Sequence, residues 1–60
     1  MNEPIINYET FQISDDPLHP IWGIIYIGRY GRRKRSENRF NSHSDAANHG
    51  RSVVMQGIIL

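Results

Sequence analysis

The sequence predicts a small α+β fold with the element order β-β-β-α, in which a three-stranded antiparallel sheet has one C-terminal helix packed on one face. Strand-like composition dominates the first half of the chain, and a capped helical periodicity occupies its last third. The length is the third observation, because 60 residues are enough for one small core and no more. We therefore expect a single domain over residues 1–60, with marginal stability.

The first strand is predicted over residues 5–14, where β-branched and aromatic residues are mixed with polar ones. From the middle of this segment the alternation is regular. Phe11 and Ile13 point to one side of the strand, and Thr10 and Gln12 point to the other.

The second strand is predicted over residues 21–30, after a turn at 15–20 that contains two prolines and two aspartates. It is the most apolar segment of the chain, and both of its faces are apolar, which favours a central position in the sheet. One helix can cover only one face. The sequence therefore predicts an exposed apolar surface on the other, of the kind that usually marks a protein interface. Its predicted members are Trp22, Ile24, Tyr26 and Tyr8, together with Ile6.

The third strand and the segment before it are predicted from polarity. Gly31 opens a basic stretch, residues 31–37, that is too polar for a core and is typical of a hairpin tip. A short third strand is then expected over 38–41, with Phe40 pointing inward.

The helix is predicted over about residues 43–58. Ser42, followed three residues later by Asp45, resembles a capping box. Small and apolar residues then recur at three- and four-residue spacing, which places them on one helical face. Gly50 and Gly57 lie on that face, and each costs about 1 kcal/mol relative to alanine inside a helix. We expect close packing against the sheet to compensate for them.

Charge is concentrated in one segment of the chain. Six of the seven basic residues lie within residues 29–39, where Glu37 is the only acid, so the formal charge there is +5 although the whole chain carries +1. Such local density attracts a polyanion, and guanidinium groups match phosphate geometry. The sequence therefore predicts nucleic-acid binding by an arginine-rich hairpin, with Tyr30, Tyr26 and Phe40 available to stack on bases. The candidate binding residues are Arg29, Arg32, Arg33, Lys34, Arg35, Arg39 and Tyr30.

A protein partner is the alternative prediction. The basic segment also suits an acidic protein surface. The predicted apolar face around Trp22 would suit a homo-oligomer, or a host protein bound by a phage or mobile-element accessory protein or inhibitor.

Several function classes are disfavoured by composition. Cysteine is absent, which excludes disulfides and thiolate metal sites, and the three histidines show no ligand spacing, so we expect no metal and no cofactor. No serine has an evident base and orienting group, so catalysis is not expected. The Met-Asn-Glu-Pro start is not a secretory signal, and the apolar stretch Ile21–Ile27 is far shorter than the roughly 20 residues of a membrane span. These features predict a protein of the bacterial or viral-host cytosol.

The step from the third strand to the helix resembles that of a known class of domain. Residues 40–47 contain an aromatic residue, a capping serine, an acid and paired alanines. This stretch is similar to the same step in the DNA-reading domains of plant ethylene-response factors. The β-β-β-α order also resembles the arm-binding regions of some phage-type integrases. The resemblance implies a sheet face that contacts DNA through Arg and Trp side chains. Here the second strand offers Trp22 but otherwise Ile and Tyr, and the arginines fall in the predicted tip.

Overall fold

The structure, a computed structural model, describes residues 3–60, so the first two residues of the predicted domain lie outside the described range. The sheet is antiparallel with strand order β1-β2-β3, and one helix follows it in sequence and packs against it. The predicted α+β class and β-β-β-α order are therefore confirmed. The elements are β1 (Ile5–Ser14), β2 (Ile21–Gly28), β3 (Arg33–Arg35) and α1 (His43–Gln56).

The register of β1 against β2 decides which side chains share a face. Tyr8 lies opposite Tyr26, and Thr10 lies opposite Ile24. Residues that face each other across an antiparallel pair point to the same side of the sheet, so these four share one face. The register shifts at Ile6 and again at Ile13, and both isoleucines are exposed.

The helix begins and ends with residues that satisfy its free backbone groups. Ser42 has an extended backbone, and its hydroxyl oxygen accepts the N–H of Asp45 at 3.1 Å, as the capping box predicts. Gly57 has a left-handed backbone with φ of 68°, and its N–H bonds back to the carbonyls of Val53 and Val54. The prediction that Gly57 lies inside the helix is wrong. It forms the C-terminal cap, where glycine adopts a positive φ without steric cost.

Replacing Ser42 with alanine is expected to lower the free energy of unfolding by about 1 kcal/mol, because the N–H of Asp45 then loses its acceptor. Thermal unfolding followed by circular dichroism should show a midpoint about 4–8 °C lower for a domain of this size. Ser44→Ala is the matched control, since Ser44 is an exposed serine within the helix. An equal loss in both variants would contradict a capping role for Ser42.

The core lies between α1 and the sheet face that carries Tyr8, Ile24 and Tyr26. Ile24 has no exposed surface, and Gly50 of the helix lies directly above it: a Cβ atom added there would be 2.5 Å from the Tyr8 ring and 2.6 Å from Ile24 Cδ1. The predicted close packing at Gly50 is confirmed. The buried apolar side chains are Ile5, Ile24, Ala46 and Val53.

The apolar surface that the sequence predicts to be exposed is therefore the surface that α1 covers. Trp22, Ile24, Tyr26 and Tyr8 are buried or half-buried beneath α1, and they do not form an open face. The physical reason is the row of small residues Ala46 and Gly50, which lets the helix approach this side of the sheet closely. The opposite face, which carries Ile25 and Ile27, is left without a helix.

The third strand is also placed differently from the prediction. It is Arg33–Arg35, inside the predicted hairpin tip 31–37, and not 38–41. Phe40 instead forms an isolated bridge in which its N–H and carbonyl both pair with Trp22. β2 ends at Gly28 because the chain turns there: Gly31, with φ of 90°, donates its N–H to the Gly28 carbonyl. β3 pairs with β2 through its backbone, and its side chains are all exposed.

Candidate functional site

Six of the seven basic residues lie in the outer strand of the sheet or in the turn and loop on either side of it. We call this set the basic edge. β3 is the outer strand beside β2, the turn at 29–32 precedes it, and the loop at 36–39 follows it. Every basic side chain of the set is exposed to solvent. Its members are Arg29, Arg32, Arg33, Lys34, Arg35 and Arg39.

The strand register divides the basic side chains of β3 between the two faces of the sheet. Arg33 lies opposite Ile27, and Arg35 lies opposite Ile25. Both arginines therefore point to the face away from α1, which we call the helix-free face. Lys34 lies opposite Tyr26 and points to the helix side. The prediction that all these arginines belong to a tip is thus corrected for two of them, which lie over the sheet.

Across the helix-free face, Arg33 reaches an acidic residue of β1. Its guanidinium donates a hydrogen bond to the Glu9 carboxylate, and the two side chains are 53% and 51% exposed. A pair with this exposure contributes about 0–1 kcal/mol, since water screens it and two long side chains must be ordered. Solvent and ligands can therefore compete for the Arg33 guanidinium.

The ring of Phe11 lies flat on the same face. Phe11 is opposite Gly23, and a Cβ atom added to Gly23 would be 2.5 Å from Cζ of the ring and 2.9 and 3.0 Å from its two Cε atoms. A point above the ring plane lies at similar distances from Cζ and the two Cε atoms. A point beyond the ring edge would lie clearly closer to Cζ than to the two Cε atoms. The added Cβ atom would therefore meet the face of the ring. The missing side chain of Gly23 leaves the space into which the ring folds.

The guanidinium of Arg35 lies over this ring, with its Cζ 4.8 Å from the ring centroid. The arrangement is a cation–π contact, worth about 0.5–1 kcal/mol at an exposed site. The helix-free face thus carries a flat aromatic ring beside two arginines and two half-buried isoleucines, Ile25 and Ile27.

A buried carboxylate holds the turn that leads into the basic edge. Glu3 is only 4% exposed, and its Oε2 atom accepts the backbone N–H of Tyr30 at 2.7 Å. The carbonyl of Pro4 accepts the N–H of Arg29 at 3.0 Å. These two bonds fix the backbone from which Arg29 and Tyr30 extend.

The three aromatic residues that the sequence offered for base stacking have different positions. Tyr30 is 72% exposed in the turn and remains accessible. Tyr26 and Phe40 are half-buried on the helix side, where both contact His49: the Tyr26 hydroxyl lies 3.0 Å from Nε2, and the Phe40 ring centroid lies 5.1 Å from that of the imidazole. They are not part of the helix-free face.

The residues that sequence reasoning missed are Phe11, Gly23 and Glu9. One signal could have found the first two, since a glycine inside an apolar central strand leaves room for an aromatic side chain on the neighbouring strand. The predicted interface residue Trp22 is on the opposite face, where its ring meets that of His43 edge-on with centroids 5.0 Å apart. The resemblance implied Arg and Trp together on one sheet face, and the structure separates them.

A metal-ligand cluster and a membrane-spanning helix are both absent from the described residues. Within residues 3–60, no three His, Asp or Glu side chains come together as metal ligands. The helix at His43–Gln56 is too short and too polar to cross a bilayer, and no other helix is described in this range.

The fold and the basic edge define a small α+β protein with a cationic sheet edge. Comparison with family models, with curated proteins and with solved structures found no match to this chain.

Proposed function

We propose that this chain is a small nucleic-acid-binding protein that contacts phosphate groups through its basic edge. The observation that supports this most directly is the grouping of six exposed basic residues in β3 and in the turn and loop beside it. Their described acidic neighbours are Glu37 in sequence, Glu9 in space and the buried Glu3 beneath the turn. Within residues 3–60, the side chains of Arg29, Lys34 and Arg39 have no hydrogen bond or ion pair, so their charges are directed to solvent.

The physical basis is counterion release. A cation placed against a phosphate frees a condensed counterion, so a row of cations gains affinity from each contact without reading base sequence. Arginine adds geometry, because its planar fork binds two phosphate oxygens at once. The net charge of +1 does not oppose this, since the field near the edge depends on the local charge.

Protection of an open sheet edge is the competing explanation for these charges. Charged residues on a short edge strand prevent it from pairing with another chain, and this accounts for the three basic residues of β3. It does not account for Arg29, Arg32 and Arg39, which lie outside the strand. The same principle disfavours self-association through this edge.

A protein partner on the apolar face was the alternative from sequence. Because α1 covers that face, it offers no open surface comparable with the basic edge. An acidic protein surface at the basic edge is left as the competing partner.

The salt dependence of binding tests the proposal. The affinity of the protein for a fluorescein-labelled twelve-nucleotide strand should fall about 300-fold between 50 and 200 mM salt if all six cations contact phosphates, because each contact on a single strand adds roughly −0.7 to the slope of log affinity against log salt. Fluorescence anisotropy measures this directly, and an acidic peptide of equal charge serves as the comparison ligand. Absence of binding at 50 mM salt, or tighter binding of the peptide than of the oligonucleotide, would contradict the proposal.

A further inference from the structure

One face of the Phe11 ring lies against the sheet, and the other face lies beneath the Arg35 guanidinium. Its inner face rests on Gly23, which has no side chain to lift it, so the plane of the ring runs along the sheet. The guanidinium over the ring is itself a flat, delocalised group. The structure therefore shows that a planar group fits at this position, within reach of the basic edge.

We propose that the helix-free face binds single-stranded nucleic acid, with one base stacked on Phe11 and with Arg33 and Arg35 on the neighbouring phosphates. This inference rests on the proposed function and names its substrate class. The base takes the place over the ring that the Arg35 guanidinium occupies in the free protein. The guanidinium then turns to the phosphate beside that base, and Arg33 exchanges the Glu9 carboxylate for another phosphate.

A single strand is favoured because of where the ring is. Bases within a duplex are stacked on one another and expose only their edges in the grooves, whereas an unpaired base can place its whole face on an aromatic ring. A ring that lies flat on a sheet cannot enter a groove edge-first. Stacking of this kind tolerates any base, because every base has a π-face, so we expect weak sequence preference.

The Phe11 ring, and not the charges around it, favours nucleic acid over an acidic protein on the same face. A protein carboxylate would pair with Arg33 and Arg35 but would gain nothing from the upward-facing ring. A strand of nucleic acid supplies both kinds of group at once, phosphates for the arginines and a planar base for Phe11. Ile25 and Ile27 continue the apolar surface beside the ring.

The wild-type protein tests this without any substitution. Its affinity is measured by anisotropy at one low salt concentration for four labelled ligands: a dT twelve-mer, a U twelve-mer, a twelve-mer of abasic sugar phosphates and a twelve-base-pair duplex. The dT or the U strand should bind about 5- to 150-fold more tightly than the abasic strand, which carries the same phosphates. Whichever of the two binds better identifies DNA or RNA as the preferred source of the strand.

Two results would overturn the inference alone. Equal affinity for the abasic strand would mean that phosphates are bound without stacking, and equal or tighter binding of the duplex would mean that no free base is needed. In both cases the proposed function stands. Failure to bind any of the four ligands would overturn the proposed function as well.

A pair of aromatic variants locates the stacking position. Phe11→Leu keeps apolar bulk on Gly23 but removes the π-face, so it should weaken binding of the preferred strand about 5- to 150-fold and leave the abasic affinity unchanged. A circular dichroism spectrum equal to that of the wild type checks that the variant is folded. Tyr30→Leu tests the stacking position that the sequence offered, because Tyr30 is an exposed aromatic residue beside the same charges, and it should weaken binding less than Phe11→Leu does. The reverse pattern would move the stacking site to the turn and refute the assignment to Phe11.

Discussion

Replacing Arg35 with glutamate is expected to weaken binding of a twelve-nucleotide single strand at least about tenfold at low salt. The variant loses a hydrogen bond between charged groups, worth roughly 1.5–3 kcal/mol, and adds a repulsive charge beside the phosphates. Combining Arg33→Glu with Arg35→Glu should bring the loss to about 100-fold or more and should reduce the slope of log affinity against log salt by roughly 1.5. Anisotropy titrations at several salt concentrations measure both quantities.

Arg51→Glu is the matched control for the single variant. Arg51 is an exposed arginine on α1, outside the basic edge, and its reversal changes the net charge of the protein by the same amount. We expect its effect to be less than about twofold. Equal losses for Arg35→Glu and Arg51→Glu would show that only the total charge matters, which would contradict a binding site at this edge.

The helix was the most predictable part of the fold. Its start depends on Ser42 and Asp45, whose capping bond is local, and its apolar period is a property of the sequence segment itself. Its end was less predictable, because Gly57 continues the apolar period while adopting the backbone that terminates the helix. The apolar period of a segment does not show whether a given residue has a positive or a negative φ.

The third strand could not be predicted from hydrophobic pattern. Arg33–Arg35 forms backbone hydrogen bonds with β2 but buries none of its side chains, so no apolar alternation accompanies the strand. Predicting it required the position of the turn at Gly31, and hence the point at which β2 ends. The shift matters for the site, since it moves Arg33 and Arg35 from a loop onto the sheet.

The prediction of which face of β2 the helix leaves uncovered was wrong for a physical reason. Both faces of β2 are apolar, and the sequence pattern of β2 alone does not say which one the helix covers. The decision depends on how closely the helix approaches: Gly50 fits over Ile24 and Tyr8, whereas on the other face Phe11 already fills the space above Gly23. The basic residues lie near one another because they are close in sequence.

Replacing Gly50 with alanine is expected to lower the free energy of unfolding by about 2 kcal/mol, although alanine is the better helix former. The substitution gains about 1 kcal/mol of helix propensity, whereas forcing one carbon into a filled space costs up to about 3 kcal/mol. The added Cβ would meet Tyr8 at Cγ as well as Cδ2, so the whole ring must move, and Ile24 has no exposed surface into which to retreat. For a domain of this size the thermal midpoint should fall by about 8–16 °C.

Trp22 provides the measurement, since it is the single tryptophan and lies against His43 at the start of the helix. Its fluorescence reports separation of α1 from the sheet during unfolding. Asn48→Ala is the control, because Asn48 is exposed on the same helix and its replacement changes propensity without adding an atom to the core. That variant should be as stable as the wild type or slightly more so. A Gly50→Ala protein that unfolds at the wild-type temperature or above would mean that the helix does not lie as close to Tyr8 and Ile24 as the core described above requires.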